Sequence, residues 1–298
     1  MLLKELIAET KVKKIVGDIK VNINGITHDS RQVESGNVFV AVPGFKVDGA
    51  DYIPEAISKG ARAIVTEKIQ IMPDAVVGIF VPTARRALAE LSSNFYDCPS
   101  EQLKIIGITG TNGKTTTSFI LESILEAAGY RSGLLGTVEV KIAGLVMPTK
   151  LTTPEASDLQ RIFRQMVEDG VTHVVMEVSS HALALERVQG VCFSGAVFTN
   201  LSHDHLDFHH NMEEYFNTKK KLFEMLGKES FAAINTDDPY GVRLYESFHG
   251  KKITYGLRDT ADVMAENVSL RYRGSELDIA TAGGEISLAT RVTGRFNI

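Results

Sequence analysis

The run Gly107–Thr116, GITGTNGKTT, constrains this chain more than any other stretch. A glycine-rich turn ending in Lys-Thr demands a strand before it and a helix after it. Both are legible: Lys104–Thr109 is a short apolar run, and Thr115–Ala128 carries helical spacing. Such a turn cradles phosphate with backbone N–H groups and the positive end of the helix dipole. Gly110 and Gly113 let the chain close on an anion across Thr111 and Asn112. Lys114 adds a point charge, the Thr115 hydroxyl suits magnesium, and Thr116 completes the run. The residue five before Gly113, a glycine in the common pattern, is Ile108 here. The loop instead reads G-x-x-G-x-x-G-K-T, which points away from ordinary GTPases. The bland alternative is a glycine-rich turn with a stray lysine.

A chain of 298 residues holds about two domains. Its net charge of −5 gives no general attraction to nucleic acid or to an anionic membrane, so any phosphate must be held by local devices. Cys98 and Cys192 offer neither metal spacing nor a disulfide framework, which predicts a reducing, cytoplasmic setting. Lys4, Glu5 and Glu9 interrupt the first ten residues, unlike a signal peptide. The longest apolar stretches, such as Ala75–Val81, are strand-sized.

Before the loop, the pattern predicts a short helix over Leu2–Glu9 and strands over Val12–Ile19, Asn37–Val42, Ala63–Thr66 and Val76–Val81. Helices are predicted over Asp51–Gly60 and over Thr83–Tyr96, the latter capped by Thr83. The polar stretch 97–102 has linker chemistry, so a small mixed α/β domain is expected over 1–98 and a second domain over 99–298. The second alternates strands and helices. Strands are expected at Gly133–Val140, Thr172–Val178, Val191–Thr199 and Phe231–Asn235, with helices at Asn211–Leu226 and Pro239–Phe248. Thr153-Pro-Glu is expected to cap and start a further helix. The α/β fold class that follows is a mostly parallel sheet flanked by helices, with ligands at the carboxyl ends of the strands. From Asp262 onward the pattern is strand-rich and antiparallel. The end at Thr293–Ile298 reads as the entry into another element, so a truncated second domain is expected.

Three features sit on that carboxyl edge. Glu177 ends a strand and can hold magnesium, or can be an ordinary strand-end ion pair. Four of the eight histidines fall in Leu201–His210. A polar surface loop, a zinc site from His203, His205 and the aspartates, and a metal or phosphate role are all open, and spacing does not separate His205 from His203. Lys219 lies on the apolar stripe of its helix with Met212, Tyr215, Phe216, Leu222, Phe223 and Leu226, whereas Lys220 and Lys221 do not. A lysine there snorkels, pairs or changes chemically.

These motifs together resemble the MurE-type ligases of peptidoglycan synthesis: GTNGKTT (110–116), LTTPE (151–155), MEVSSHALALERV (176–188), NLSHDHLDFHHNMEEYFNTK (200–219) and DSRQVESGNVFVAVPG (29–44). The resemblance runs the length of the chain in order. It implies an ATP-dependent, magnesium-assisted amide ligase that phosphorylates the free carboxylate of UDP-N-acetylmuramoyl-L-alanyl-D-glutamate and then adds an amino acid. It further implies that Ser30, Phe45, Lys46 and Val47 hold the uridine nucleotide. Thr152, Thr153, Ser179 and Arg187 would hold the muramoyl-dipeptide. Thr115, Glu177 and His205 would serve magnesium, joined by Lys219 as a carbamate, and Lys114, Lys219, Glu177 and His205 would carry the catalysis. A cytoplasmic monomer with no nucleic-acid or membrane partner is expected. Leu185, two residues before Arg187, departs from the family in offering no hydrogen bond. The family's third domain, which binds the incoming amino acid, is expected to be absent, so the added amino acid is not implied. The remaining readings are another amide ligase of the same superfamily and a non-catalytic nucleotide-binding module.

Overall fold

The computed structural model describes every residue except 46, 258–260, 295, 296 and 298. It divides into two compact units, the first made of 1–102 with 154–168 and 184–191, the second of the remainder.

The first unit is built on five strands: β1 (Lys14–Val16), β2 (Gly25–Thr27), β3 (Asn37–Val40), β4 (Ala63–Thr66) and β5 (Val77–Phe80). They lie in the order β1-β5-β4-β3-β2, and only β1 runs antiparallel to its neighbour. Side chains alternate across a strand, so β3 feeds both faces. Val38 and Val40 join Leu3 and Leu6 of α1 (Leu3–Leu6) and Leu88 and Leu91 of α3 (Ala84–Phe95). Phe39 packs on the other face with Ile53 and Ala56 of α2 (Ile53–Ser58). Thr83 does not cap α3 with its side chain. That role falls to Glu67, whose Oε1 accepts the Ala84 N–H at 2.7 Å, a carboxylate at the positive helix end.

The second unit holds β6 (Lys104–Thr109), β7 (Ser132–Leu135), β8 (Glu139–Ile142), β9 (Leu145–Pro148), β10 (His173–Glu177), β11 (Phe193–Phe198), β12 (Phe231–Asn235), β13 (Lys251–Gly256), β14 (Val263–Arg271), β15 (Gly274–Thr281) and β16 (Gly284–Thr290). The order is β16-β15-β14-β13-β12-β11-β6-β10-β7-β8-β9. Every pair from β14 to β7 is parallel, and antiparallel hairpins finish both edges. The expected strand over Gly133–Val140 is therefore two strands, β7 and β8, broken at Gly136–Val138. The mostly parallel α/β architecture is as expected.

β6 is central, with β10 on one side and β11 on the other. The chain leaves β6 where neighbouring connections diverge, the position at which open α/β sheets bind ligands. α4 (Lys114–Ala127) follows, and Phe119, Leu121 and Leu125 pack over Ile108, Leu134, Val175 and Val197. A Cβ on Gly107 would come within 2.9 Å of the Phe193 ring and 3.2 Å of Leu222, so α8 (Met212–Glu224) lies close on the other face. The remaining helices are α5 (Ala156–Glu168), α6 (Ser180–Ala184), α7 (Leu206–His209) and α9 (Pro239–Ser247). α5 begins at Ala156, two residues beyond the expected start at Pro154, and within the second unit the Thr153 hydroxyl donates to the Glu177 carbonyl. No helix among the described residues is long and apolar enough to cross a membrane.

Candidate active site

The loop after β6 is held in shape by the chain that leaves β11. Asn200 accepts the Thr111 N–H on its carbonyl at 2.9 Å and the Asn112 N–H on its side chain at 3.0 Å. The Thr199 hydroxyl donates to the Asn112 carbonyl at 2.6 Å. Gly110 adopts φ +152°, and a Cβ there would collide with the Thr199 hydroxyl. Gly113, at φ +85°, turns the chain into α4. Both glycines are thus required by backbone geometry. The first N–H groups of α4, at Lys114, Thr115 and Thr116, have no acceptor within the helix and remain for an anion.

Beside this loop stands a buried carboxylate. Glu177 is 0% exposed at the end of β10. Its Oε2 accepts the hydroxyls of Thr115 at 3.0 Å and Thr137 at 3.1 Å, and its Oε1 accepts the Thr137 N–H at 2.9 Å. A Cβ on Gly136 would stand 2.5 Å from Oε1, so the break between β7 and β8 exists to let backbone reach the acid. Thr152 joins through Thr137, hydroxyl to hydroxyl at 3.1 Å. The Thr153 hydroxyl donates to the Glu177 carbonyl at 2.9 Å and accepts the Ser179 N–H at 3.1 Å. Thr115, Glu177, Thr152, Thr153 and Ser179 therefore form one connected group.

The lysine on the apolar stripe ends in the same place. Lys219 is 1% exposed, and its Nζ donates to the Gly110 carbonyl at 2.8 Å while lying 4.6 Å from the centre of the Tyr215 ring. This is burial, not snorkelling. Lys114 Nζ donates to the same carbonyl at 3.0 Å and to Thr111 O at 2.8 Å. Burial, reinforced by the charge of Lys114, holds the Lys219 amine well below the usual lysine range, and Asp204 opposes the shift. Burial also lowers Lys114, against the pull of Glu177 and Asp204.

His205 begins α7 in a left-handed conformation, φ +51°. Its ring stands edge-on to Tyr215 at 6.2 Å and to His181 at 5.0 Å. His203 is exposed. His209 is buried and stacked on Tyr215 at 4.9 Å, with no hydrogen-bond partner for either ring nitrogen among the described residues. Burial pushes its pKa down to about 4. No group of three or more His, Cys, Asp or Glu side chains among the described residues is gathered tightly enough to hold a metal alone. Magnesium asks less, being bound through one or two protein oxygens together with phosphates and water. The oxygens of Thr115 and Glu177 fit that demand. Glu177 is a buried carboxylate whose hydrogen bonds come from neutral donors, and such an anion calls for a cation.

The first unit has its own concavity, of about 540 Å³, lined by residues that include His28, Ser30, Val47, Tyr52 and Glu55. The turn beneath it is tight: Gly44 N–H donates to Val47 O at 3.0 Å. Phe45 is 74% exposed on this turn, and Lys46 lies outside the described residues. Ser30 is buried, and its hydroxyl donates to Glu55 at 2.7 Å. Arg187, also in the first unit, pairs with Glu155 at 2.6 Å, and Arg85 lies near enough to feel both charges.

Sequence reasoning missed Thr137, Thr199, Asn200, Tyr215, Glu55 and Glu155. Each acts by touching a predicted residue, and a threonine in a strand break carries no periodic signal. Tyr215 alone was within reach, four residues before Lys219 on the same stripe.

Comparison with known proteins agrees with this geometry. Residues 108–298 match the family model of the Mur ligase middle domain, and 22–96 that of the Mur ligase family catalytic domain. A UDP-N-acetylmuramoyl-L-alanyl-D-glutamate–2,6-diaminopimelate ligase of Clostridium acetobutylicum is 42% identical across 100% of this chain and 61% of its own length. The ligase of the same name from Caldanaerobacter subterraneus is 45% identical, over 96% of this chain and 59% of its own. A solved ligase structure, also of that name, superposes with a TM-score of 0.83 at 25% identity, covering 100% of this chain and 61% of its own. The chain thus spans about three-fifths of the length of the curated relatives it matches.

Proposed function

We propose, from the premise that the chain belongs to the Mur ligase family, that it carries the nucleotide-binding and substrate-activating part of an ATP-dependent ligase. That ligase extends UDP-N-acetylmuramoyl-L-alanyl-D-glutamate by one amino acid. The observation that carries this is the convergence of Lys114, Lys219, Thr115 and Glu177 on one phosphate loop.

In this reading Gly110–Thr116 hold the ATP phosphates, with Lys114 swinging from the Gly110 and Thr111 carbonyls to the anion. The free substrate carboxylate attacks the γ-phosphorus and ADP leaves. The incoming amine then attacks the acyl carbon and releases phosphate. Two anions must meet in the first step, so neutralising charge matters more than covalent help from the protein. Magnesium supplies that neutralisation when bound, on Thr115, Glu177 and His205. Thr137 fixes the Glu177 carboxylate, so the acid needs no rearrangement to receive a cation. Lys219 supports the carbamate reading because an uncharged amine is the form that adds carbon dioxide, losing a proton as the N–C bond forms. Thr152, Thr153 and Ser179 would position the muramoyl-dipeptide beside Glu177, and Arg187 would meet a carboxylate. The uridine end belongs in the concavity at Ser30 and Val47, with Phe45 and Lys46 on its rim. ATP and magnesium are therefore the cofactors, a cytoplasmic monomer is the expected form, and domains over 1–98 and 99–298 divide the two binding tasks.

Calorimetric titration with UDP-N-acetylmuramoyl-L-alanyl-D-glutamate, against a pterin-containing acid of similar charge, tests the substrate class. Binding of the first and not the second is expected; the reverse would favour another amide ligase of the superfamily. Adding the separately expressed carboxyl-terminal part of the Clostridium acetobutylicum relative should then give ATP-dependent ligation. In that assay Lys219→Ala should be inactive and partly restored by short carboxylic acids, and absence of any rescue would count against the carbamate.

A further inference from the structure

We propose that Glu55 is a positioning residue that makes the Ser30 hydroxyl a hydrogen-bond acceptor only, so that the first-unit cavity selects a base bearing a ring N–H, uracil, over cytosine. The inference rests on the reading of that cavity as the uridine nucleotide site.

It follows from the proton inventory around Ser30. The Ser30 hydroxyl has one proton, and that proton lies on Glu55 Oε2 at 2.7 Å. Glu55 has none to give: Lys59 and Ser30, both donating to it, hold its carboxyl below the ordinary glutamate range. The direction of the bond is therefore fixed. Lys59 locks the arrangement from the other side, donating to Glu55 Oε1 at 2.8 Å and to the Ser30 carbonyl at 3.0 Å. All three residues are held by regular structure. Ser30 opens a short 3-10 turn whose N-cap, Asp29, accepts the Arg31 N–H at 3.0 Å. Glu55 lies in α2, and Lys59 is one turn further along it.

What is left on Ser30 Oγ is its lone pairs, at the wall of a cavity whose lining includes the ring of Tyr52 and the apolar side chains Phe39, Val42 and Val47. A planar base lies well against such a wall. Uracil presents N3–H between two carbonyl oxygens, which an acceptor-only hydroxyl satisfies. Cytosine presents a bare N3 at that position, setting acceptor against acceptor. A free serine hydroxyl would rotate and serve either base. Glu55 removes that freedom, and an unpaired polar edge in a site built for its complement is what discriminates.

The test is calorimetric titration of the whole chain with uridine 5′-diphosphate and with cytidine 5′-diphosphate. The parent chain should prefer the uridine compound by about tenfold or more, the scale of one mismatched polar contact. In Glu55→Gln the amide can donate to Ser30 Oγ and release its proton to the ligand, so the preference should shrink to about threefold or less. Restoring a carboxylate with Glu55→Asp should recover part of it. Strong uridine binding with an unchanged preference in Glu55→Gln overturns the role of Glu55 and leaves the cavity assignment standing. Failure of the parent chain to bind uridine 5′-diphosphate, or indifference of that binding to Ser30→Ala, removes the cavity assignment and this inference with it.

Discussion

Lys219 and Lys114 direct their side-chain nitrogens at one carbonyl oxygen, that of Gly110, at 2.8 and 3.0 Å. Two ammonium groups this close, one of them fully buried, cannot both keep their charge cheaply. The buried one yields: burial and then Lys114 lower Lys219 well below its usual range. In the unfolded chain the same lysine titrates near 10.4. Below that value the unfolded state binds a proton that the folded state does not, so stability rises with pH. The stability of the parent chain relative to Lys219→Met should therefore grow as pH rises from the lowered folded value towards about pH 10 and level off above it. Urea denaturation at a series of pH values reads this directly, and a flat difference would mean a charged Lys219 in the fold.

Glu177 offers a different separation, between holding the fold and holding a cation. Its three hydrogen bonds come from Thr115 and Thr137, and the hydroxyls can reorient to face an amide. Glu177→Gln should keep the Thr137 N–H bond and change the unfolding free energy by less than about 1 kcal/mol. Magnesium-dependent ATP binding should fall at least about tenfold, because the charge is gone. Glu177→Ala strands the Thr137 N–H and should cost about 1–3 kcal/mol as well. Equal ATP binding by parent and Gln variant would remove Glu177 from the cation site.

Gly110 carries the geometry of the loop. A methyl group there meets the Thr199 hydroxyl, at a φ that side chains rarely adopt. Gly110→Ala should destabilise the chain by about 2–4 kcal/mol and abolish nucleotide binding. Removing the obstructing hydroxyl with Thr199→Ala in the same chain should recover part of the stability, since the two positions are in contact. Additive losses in the double mutant would show that the collision does not control the loop.

Much of this site was legible because its residues break a local pattern. Gly110, Gly113 and Lys114 interrupt a strand-to-helix passage, and Lys219 interrupts an apolar stripe. The strands β4, β6 and β12 and the parallel order followed from short apolar runs alternating with helices. What escaped is set by tertiary partners. Gly133–Val140 reads as one strand because it is mostly apolar, yet Glu177 accepts the Thr137 N–H, and the chain breaks there between β7 and β8. Thr83 looks like a helix cap from local sequence, but Glu67, seventeen residues earlier in the chain than Ala84, caps that helix. No window of sequence encodes such choices, since the competing partner lies outside it. The acceptor state of Ser30 escaped for the same reason, being fixed by Glu55 and Lys59.

His209 lies against this machinery without joining its hydrogen bonds. It is 1% exposed, stacked on Tyr215 at 4.9 Å, and both ring nitrogens lack hydrogen-bond partners among the described residues. Burial brings its pKa from 6.5 down to about 4. The folded state therefore holds a neutral ring where the unfolded state takes up a proton. Stability is complete above about pH 6.5 and is lost as pH falls from there towards pH 4, by at most about 3 kcal/mol. Replacing the ring with an apolar one of similar shape keeps the stack and deletes the proton site. His209→Phe should thus be neutral or slightly stabilising at pH 7 and should flatten the acid limb of the stability curve between pH 6.5 and 4. Thermal unfolding followed by circular dichroism across that range distinguishes the two chains, and parallel acid limbs would assign the loss to other groups.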